Sequence, residues 1–471
     1  MTEVSSTSMA KQQNPVAVPR PAQTVGLLTR LTMARRNLLS VWSDREYRLP
    51  FFHFKIFRQQ YVVCNSPETV RRVFLEVHDN YDRKSPQMRH ALEPLLGDGL
   101  FASDGQVWKD RRKYCAPAFE NKLLPEYFET MVKSTQELVE QWRKMPDGSE
   151  VDMLNEMARL TARIIGRSIF GDNTSDTEAA KVVQGFTKYQ HHVEQLDMAD
   201  SLGMPFLRWF RNPLRTVRTN YSAKRVHEVI NGMIERYQQE GHDKKFSLIS
   251  LLLEGKTGVL GKDQACPLGH DAARNEAIVM FMAGHETTAN SMAWAWYLLD
   301  KYPEAMAKVQ AEVDRVLDGR TPTLQDVDEL HYTRAVFEES LRLYPPVPLL
   351  SRQARNSDQI NGFDVEKNAV VLVVPWLLHR HEEFWDAPNA FNPERFMPGQ
   401  PRPDKFTYIP FSVGHRVCLG KRFGLTEGII CLAILAQAFT PRKEPTHKVE
   451  IECRLTLRPK DGLPMTLHAR V

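Results

Sequence analysis

The sequence lacks the marks of several large protein classes. It has no run of about 20 mostly apolar residues, so no segment reads as a membrane-spanning helix. Its opening, MTEVSSTSMAKQQNPVAVPRPAQ, is polar and proline-containing with no apolar centre. No secretory leader is expected from such a stretch, and residues 1–22 read as a disordered lead-in. Six cysteines are scattered through 471 residues without a CxxC pair. This excludes an iron–sulfur cluster and a disulfide scaffold, and fits the reduced thiols of a cytoplasmic protein. The formal net charge of +4 is too small for a nucleic-acid-binding face. Repeats, low-complexity tracts and an obvious interdomain linker are also missing, which leaves one large domain from residue 23 to 471.

What is present is mostly helix. Long polar–apolar patterns such as YFETMVKSTQELVEQWRKM fill residues 120–240. A glycine-rich loop at 254–271 precedes a second helical block. Strand-like runs are short: QYVVCN at 60–65, AVVLVVP at 369–375 and CRLTLRP near the end. The expected fold class is therefore mainly α with small β-sheets (α+β). Residues 23–45 mix leucines with Arg30, Arg35 and Arg36. The expectation is an amphipathic helix docked on the protein body, with peripheral membrane association as the alternative.

The chemistry concentrates at FSVGHRVCLG, residues 411–420. A thiolate is a strong, soft ligand for iron, and it must be kept deprotonated and shielded. Gly414 and Gly420 let the backbone turn tightly enough to aim amide N–H groups at the Cys418 sulfur. Arg416 offers a planar fork suited to a carboxylate, and Phe411 can cover one side. A helix follows Gly420, so its amide-rich N-terminus faces the anionic sulfur. Most lone cysteines are small buried hydrophobes, and Cys64, Cys431 and Cys453 read that way.

The pattern F-x-x-G-x-R-x-C-x-G resembles the haem-binding signature of the cytochrome P-450 superfamily, the haem-thiolate monooxygenases, here of the soluble bacterial type. Three further stretches resemble the family's motifs, in its order. WKDRRK carries Trp108 and Arg112 four apart on one helix face, matching W-x-x-x-R. AGHETT, inside an apolar helix over 275–299, carries Ala283, Glu286 and Thr287. EESLRLYPPVPLL carries Glu339 and Arg342, matching E-x-x-R, and PERF adds Arg395. The resemblance covers the chain from about residue 45 to the C-terminus.

The resemblance implies haem b buried between the oxygen-activating helix and the cysteine loop, with Cys418 as axial ligand and Phe411, Gly414 and Gly420 around it. It implies Trp108, Arg112, Arg352 and Arg416 at the haem propionates. Ala283, Glu286 and Thr287 would line the oxygen side, the acid and the alcohol relaying protons. Gly284 with Ala283 would let haem and dioxygen approach the helix. The Glu339–Arg342–Arg395 triad would be structural. Positions 412 and 413 are serine and valine where many relatives have glycine at one or both; provided its φ is negative, Ser412 is expected to tolerate the same backbone and to change only the stiffness of the loop.

The implied activity is insertion of one oxygen atom from O2 into a C–H bond of a hydrophobic small molecule, such as a fatty acid or terpenoid. Peroxygenase or isomerase action on the same fold is the alternative. No fused reductase is visible, so electrons are expected from a ferredoxin or flavodoxin with its NAD(P)H-dependent reductase, docking on Lys109, Arg111, Lys113, Lys421 and Arg422. Leu92, Leu95, Leu96, Leu100, Phe281, Met282, Val347, Leu349 and Leu350 are the expected pocket walls, with residues 188–206 as a roof.

Overall fold

The computed structural model describes residues 26–171, 174–193, 213–240, 247–254 and 268–470. The lead-in at 1–22 lies outside these residues, as do most of the 188–206 roof and most of the loop at 254–271. The chain is helical with small sheets, as its composition and patterning lead one to expect.

One helix organises the rest. In chain order the helices that matter here are α1 (Leu27–Arg36), α2 (Pro86–Leu96), α3 (Gly105–Cys115), α4 (Leu124–Arg143), α5 (Met153–Phe170), α6 (Asp176–His192), α7 (Pro213–Glu240), α8 (His270–Lys301), α9 (His331–Leu343) and α10 (Lys421–Ala438). Helix α8 is buried nearly all round from Ala273 to Leu299. A helix without a polar stripe cannot lie at a surface, so it runs through the core. α5 packs closely along it: the Cβ of any larger residue at Gly284 would stand 2.8 Å from Ile165 Cδ1. That close approach, rather than room for a ligand, is what requires glycine at 284.

A four-stranded sheet sits to one side. It comprises β1 (Phe51–Ile56), β2 (Gln59–Cys64), β3 (Leu350–Gln353) and β4 (Val370–Val373), in the order β1-β2-β4-β3. Two of the apolar runs visible in the sequence are its central pair, β2 and β4, parallel with Tyr61 opposite Val370. Buried on both faces, such strands read as unbroken apolar runs. CRLTLRP is not one strand. It spans the turn of a hairpin between Glu450–Cys453 and Leu457–Lys460. On the far edge of the sheet, the segment 83–85 runs beside β3: Gln353 N donates to Arg83 O at 2.9 Å, and the Ser85 and Ser351 hydroxyls meet at 2.7 Å.

α1 docks on the body: Arg30 Nη2 lies 3.1 Å from Glu46 Oε1, and Asn37, just past the helix, donates to Ile451 O at 2.7 Å. Among the described residues no helix is long and apolar enough to cross a membrane.

Candidate active site

Between α8 and the segment that precedes α10 lies a largely apolar cavity, and Cys418 opens onto it. The loop that presents the sulfur is locked by backbone contacts. Cys418 N donates to Phe411 O at 3.0 Å, and Val417 N to Gly414 O at 3.1 Å. Gly414 has φ +73°, and a Cβ there would lie 2.1 Å from Phe74 O, so no other residue fits. Cys418 is the exposed one of the described cysteines, and it lines the cavity. Burial raises the thiol above its ordinary range. The Gly420 N–H and the charges of Arg112 and Lys421 offset part of that rise.

Ser412 does not meet the condition of a negative φ. It stands at φ +59° with its hydroxyl buried and without a partner. The chain places a residue with a Cβ where the turn asks for glycine, at a strain on the order of 1 kcal/mol.

Cations ring one edge of the cavity. Trp108 and Arg112 project from α3 as the four-residue spacing implies. The Trp108 ring lies under two guanidinium groups, Arg416 at 4.3 Å and Arg112 at 5.7 Å. Arg112 Nη1 donates to Val417 O at 3.0 Å, tying α3 to the cysteine loop. Arg352, on β3, is fully buried; burial and the neighbouring Arg416 push its guanidinium down to about 9. Arg416 falls to about 10, again mainly by burial, with Asp104 and Asp82 easing it.

A fourth cation joins them that the sequence did not disclose. Lys84 is buried at 7% exposure, lines the cavity and has its pKa driven down by burial and by Arg352 and Arg416. In the sequence it is an ordinary loop lysine, and only the pairing of 83–85 with β3 brings it beside Arg352. Against these four positive groups the nearest carboxylate is Asp104, which already accepts from Lys84 N and Arg416 Nη2.

Of the three α8 residues expected on the oxygen side, one departs from expectation. Ala283, Gly284 and Thr287 line the cavity, and the Thr287 hydroxyl donates to Ala283 O at 2.7 Å. Glu286 does not line it. One residue is about 100° of helix, and that rotation turns its side chain outward. There Gln190 Nε2 donates to it at 2.6 Å and Thr456 Oγ1 at 2.7 Å. Burial raises its carboxyl, the two neutral donors and Arg458 offsetting only part.

The walls also correct the expected list. Leu100, Val347 and Leu350 line the cavity, but Leu92, Leu95, Leu96, Phe281, Met282 and Leu349 do not. In place of Phe281 and Met282, α8 contributes Val279 and Met280, one turn before Ala283. Glu339 and Arg342 form a fully buried bidentate pair at 2.7 Å, with Arg395 Nε at 3.5 Å. Of the expected docking charges, Lys109, Lys113, Lys421 and Arg422 are exposed. Arg111 is buried and paired with Asp98 and Glu276.

The cytochrome P450 family model matches residues 16–464. The chain is a member of the cytochrome P450 family. It is 30% identical over 408 residues to cyclooctatin synthase of Streptomyces melanosporofaciens, covering 85% of this chain and 84% of the relative. It is 28% identical over 452 residues to the chloroplastic carotene epsilon-monooxygenase of Arabidopsis thaliana, covering 89% and 80%. The crystal structure of the cytochrome P450DA heme domain superposes with a TM-score of 0.76 at 25% identity, covering 90% of this chain and 89% of that one.

P450 proteins are haem-iron monooxygenases with a cysteine thiolate as axial ligand, supplied with electrons by a redox partner, and this chain is an enzyme of that kind. The residues here fit the haem. Four cations without sufficient counter-charge meet at one edge of the cavity, where two propionates would compensate them. Of the five described cysteines, Cys418 is the one on the cavity, and bound iron would deprotonate a thiol so placed.

Proposed function

We propose that this P450 hydroxylates an apolar small molecule, inserting one oxygen atom of O2 into a C–H bond, with haem b held by Cys418. The observation that carries the reading is the opposition of two walls: a thiol surrounded by a locked loop faces Ala283 and Thr287 across an apolar cavity. Haem, when bound, supplies the electron chemistry that activates dioxygen. Arg112, Arg352, Arg416 and Lys84 would hold its carboxylates, and Trp108 would stack beneath the guanidinium groups.

The chain's own contribution is to move protons without admitting water. In this state the Thr287 hydroxyl is committed to Ala283 O, so it must rotate off that carbonyl to donate into the cavity. Glu286 is the proton reserve behind it. Burial raises its carboxyl, so it holds its proton to higher pH than an exposed glutamate does. That acid–alcohol pair supports dioxygen chemistry over peroxide-driven action.

The walls of Leu100, Val279, Met280, Val347 and Leu350 are suited to a hydrocarbon. The carotene named by one relative favours an extended terpenoid over a fatty acid. Exposed Lys109, Lys113, Lys421 and Arg422 support docking of an acidic ferredoxin or flavodoxin, fed by its NAD(P)H-dependent reductase. The free, scattered cysteines and the docked α1 support a cytoplasmic protein.

The deciding test is the absorption spectrum of the dithionite-reduced protein under carbon monoxide. A strongly red-shifted Soret band that disappears in Cys418→Ala is the expected result; a band unaffected by that substitution would sink the assignment. Low-spin to high-spin shifts on titration with terpenoids and fatty acids then rank the substrate classes.

A further inference from the structure

Ten residues before Glu286, α8 buries another glutamate. Glu276 has no exposed surface, lies off the cavity, and takes no part in the chemistry described above. Its carboxylate accepts from a backbone amide: Leu100 N lies 3.0 Å from Oε1 and 3.1 Å from Oε2. From α3, Arg111 brings its Nε to 3.5 Å of the same group, and the Cys115 thiol is within hydrogen-bonding reach. Arg111 turns its other end to Asp98, Nη2 to Oδ2 at 2.7 Å, and Asn275 Nδ2 donates to Asp98 Oδ1 at 3.0 Å. One arginine thus bridges two carboxylates, one in the loop and one in the helix.

The loop between α2 and α3 is pressed flat against α8 at this point. A Cβ at Gly97 would lie 2.4 Å from Asn275 Nδ2, and one at Gly99 would lie 2.7 Å from Val279 Cγ2. Immediately after the latched amide come Leu100 and Phe101, which line the cavity beside Val279 and Met280. A buried carboxylate is costly, and an apolar side chain would stabilise the helix better. What an apolar residue cannot do is accept the Leu100 N–H and hold Arg111.

We propose that Glu276 is a specificity-determining positioning residue: with Arg111 and Asp98 it latches the loop Gly97–Phe101 to α8 and so sets where Leu100 and Phe101 stand in the substrate cavity. The proposal rests on the monooxygenase reading for the word substrate, but the latch itself does not. A ligand long enough to reach Leu100 and Phe101 feels the latch; one confined to the far wall does not. Arg111 and Cys115 share α3 with Trp108 and Arg112, so the same helix carries both the latch and the side chains that would hold the haem propionates.

The test uses the haem-loaded protein and the variants Glu276→Ala, Glu276→Gln and Asp98→Asn. Amide hydrogen exchange of a peptide spanning 97–104 is read alongside spectral titrations with imidazole and with 1-dodecylimidazole. Removing the only acceptor of the Leu100 N–H costs roughly a factor of ten. Glu276→Ala should therefore speed exchange in 97–104 about tenfold and weaken dodecylimidazole about tenfold, with imidazole within about twofold. Glu276→Gln keeps an acceptor oxygen and should restore most of both. If Glu276→Ala does not fold, Asp98→Asn, altered on its exposed side, should give the same pattern at about threefold. Unchanged exchange in 97–104, or equal weakening of both azoles, overturns the proposal. If neither azole shifts the wild-type spectrum, the monooxygenase reading fails, while the exchange result still decides the latch.

Discussion

The two walls of the cavity are built on opposite principles. The cysteine wall is locked by contacts that leave no alternative: a glycine against a carbonyl, a backbone bond from Cys418 to Phe411, a guanidinium clamped on Val417 O. The α8 wall is held by bonds that can be exchanged. Thr287 donates to a carbonyl of its own helix, and Glu286 is held by an amide and a hydroxyl, both neutral. The difference follows the task. A metal ligand has to keep one geometry, whereas a proton donor has to change partners. Charge on the partner is the variable: Glu339, clamped by two arginines, cannot release its partners cheaply, and Glu286 can.

The locked side should therefore be the fragile one. Helix α9 supports it, since Tyr408 donates to Glu338 O at 2.9 Å and Arg342 reaches His379 O, whose side chain accepts from Ile409 N at the entry to the cysteine loop. Glu339→Ala strands Arg342, which has no exposed surface, and Arg395 beside it. The expected loss is about 3–5 kcal/mol, as for other half-removed buried pairs. Urea unfolding and haem retention measure it; a loss below about 1 kcal/mol would mean that the triad is not what stiffens this wall.

On the exchangeable side the effect should fall on rate and spare stability. Glu286→Gln keeps the hydrogen-bonding shape but carries no transferable proton, so turnover should fall about a hundredfold, some 2.7 kcal/mol of barrier. The pH dependence has a definite sign. The folded carboxyl is raised above its unfolded value, so its contribution to stability is complete below the ordinary carboxylate range. It is lost as pH rises through the raised value. Wild type should therefore lose stability with rising pH in that window, and Glu286→Gln should lose less. A variant with normal turnover, or one as pH-sensitive as wild type, would break the contrast between the walls.

Much of this was legible because the chemistry confines its residue types to short windows. Phe411, Gly414, Arg416 and Cys418 lie within eight consecutive residues, and Trp108 with Arg112 need only one helical turn. What escaped notice was set by helix phase or by long-range pairing. Helix α8 is apolar on every side, so hydrophobicity gave it no orientation, and Phe281 and Met282 looked as good as Val279 and Met280. Counting back three and four residues from Ala283 would have found the true wall. The same phase argument turns Glu286 outward. Lys84 had no such signal, because its neighbour Arg352 is more than 250 positions away and meets it only through strand pairing.

The locked wall has one position where it is not optimised, and there the contrast can be sharpened on a small scale. Gly414 and Ser412 both stand at positive φ, two residues apart in the cysteine loop. At 414 the Phe74 carbonyl occupies the space of a Cβ, so Gly414→Ala combines left-handed strain with an overlap that backbone must absorb, at least about 2 kcal/mol. At 412 the serine already carries the strain, and its hydroxyl is buried without a partner. Ser412→Gly removes both penalties and gives back part of the gain as unfolded-chain entropy, for a net stabilisation of about 0.5 kcal/mol. Ser412→Ala removes only the orphaned hydroxyl, keeps the strain and should be close to neutral. Equilibrium unfolding of the three variants should therefore rank them glycine at 412, then alanine at 412, then alanine at 414. If Ser412→Gly instead weakens haem binding, the strain at 412 is part of how the loop aims its sulfur, and the locked wall is tighter than its backbone contacts alone make it.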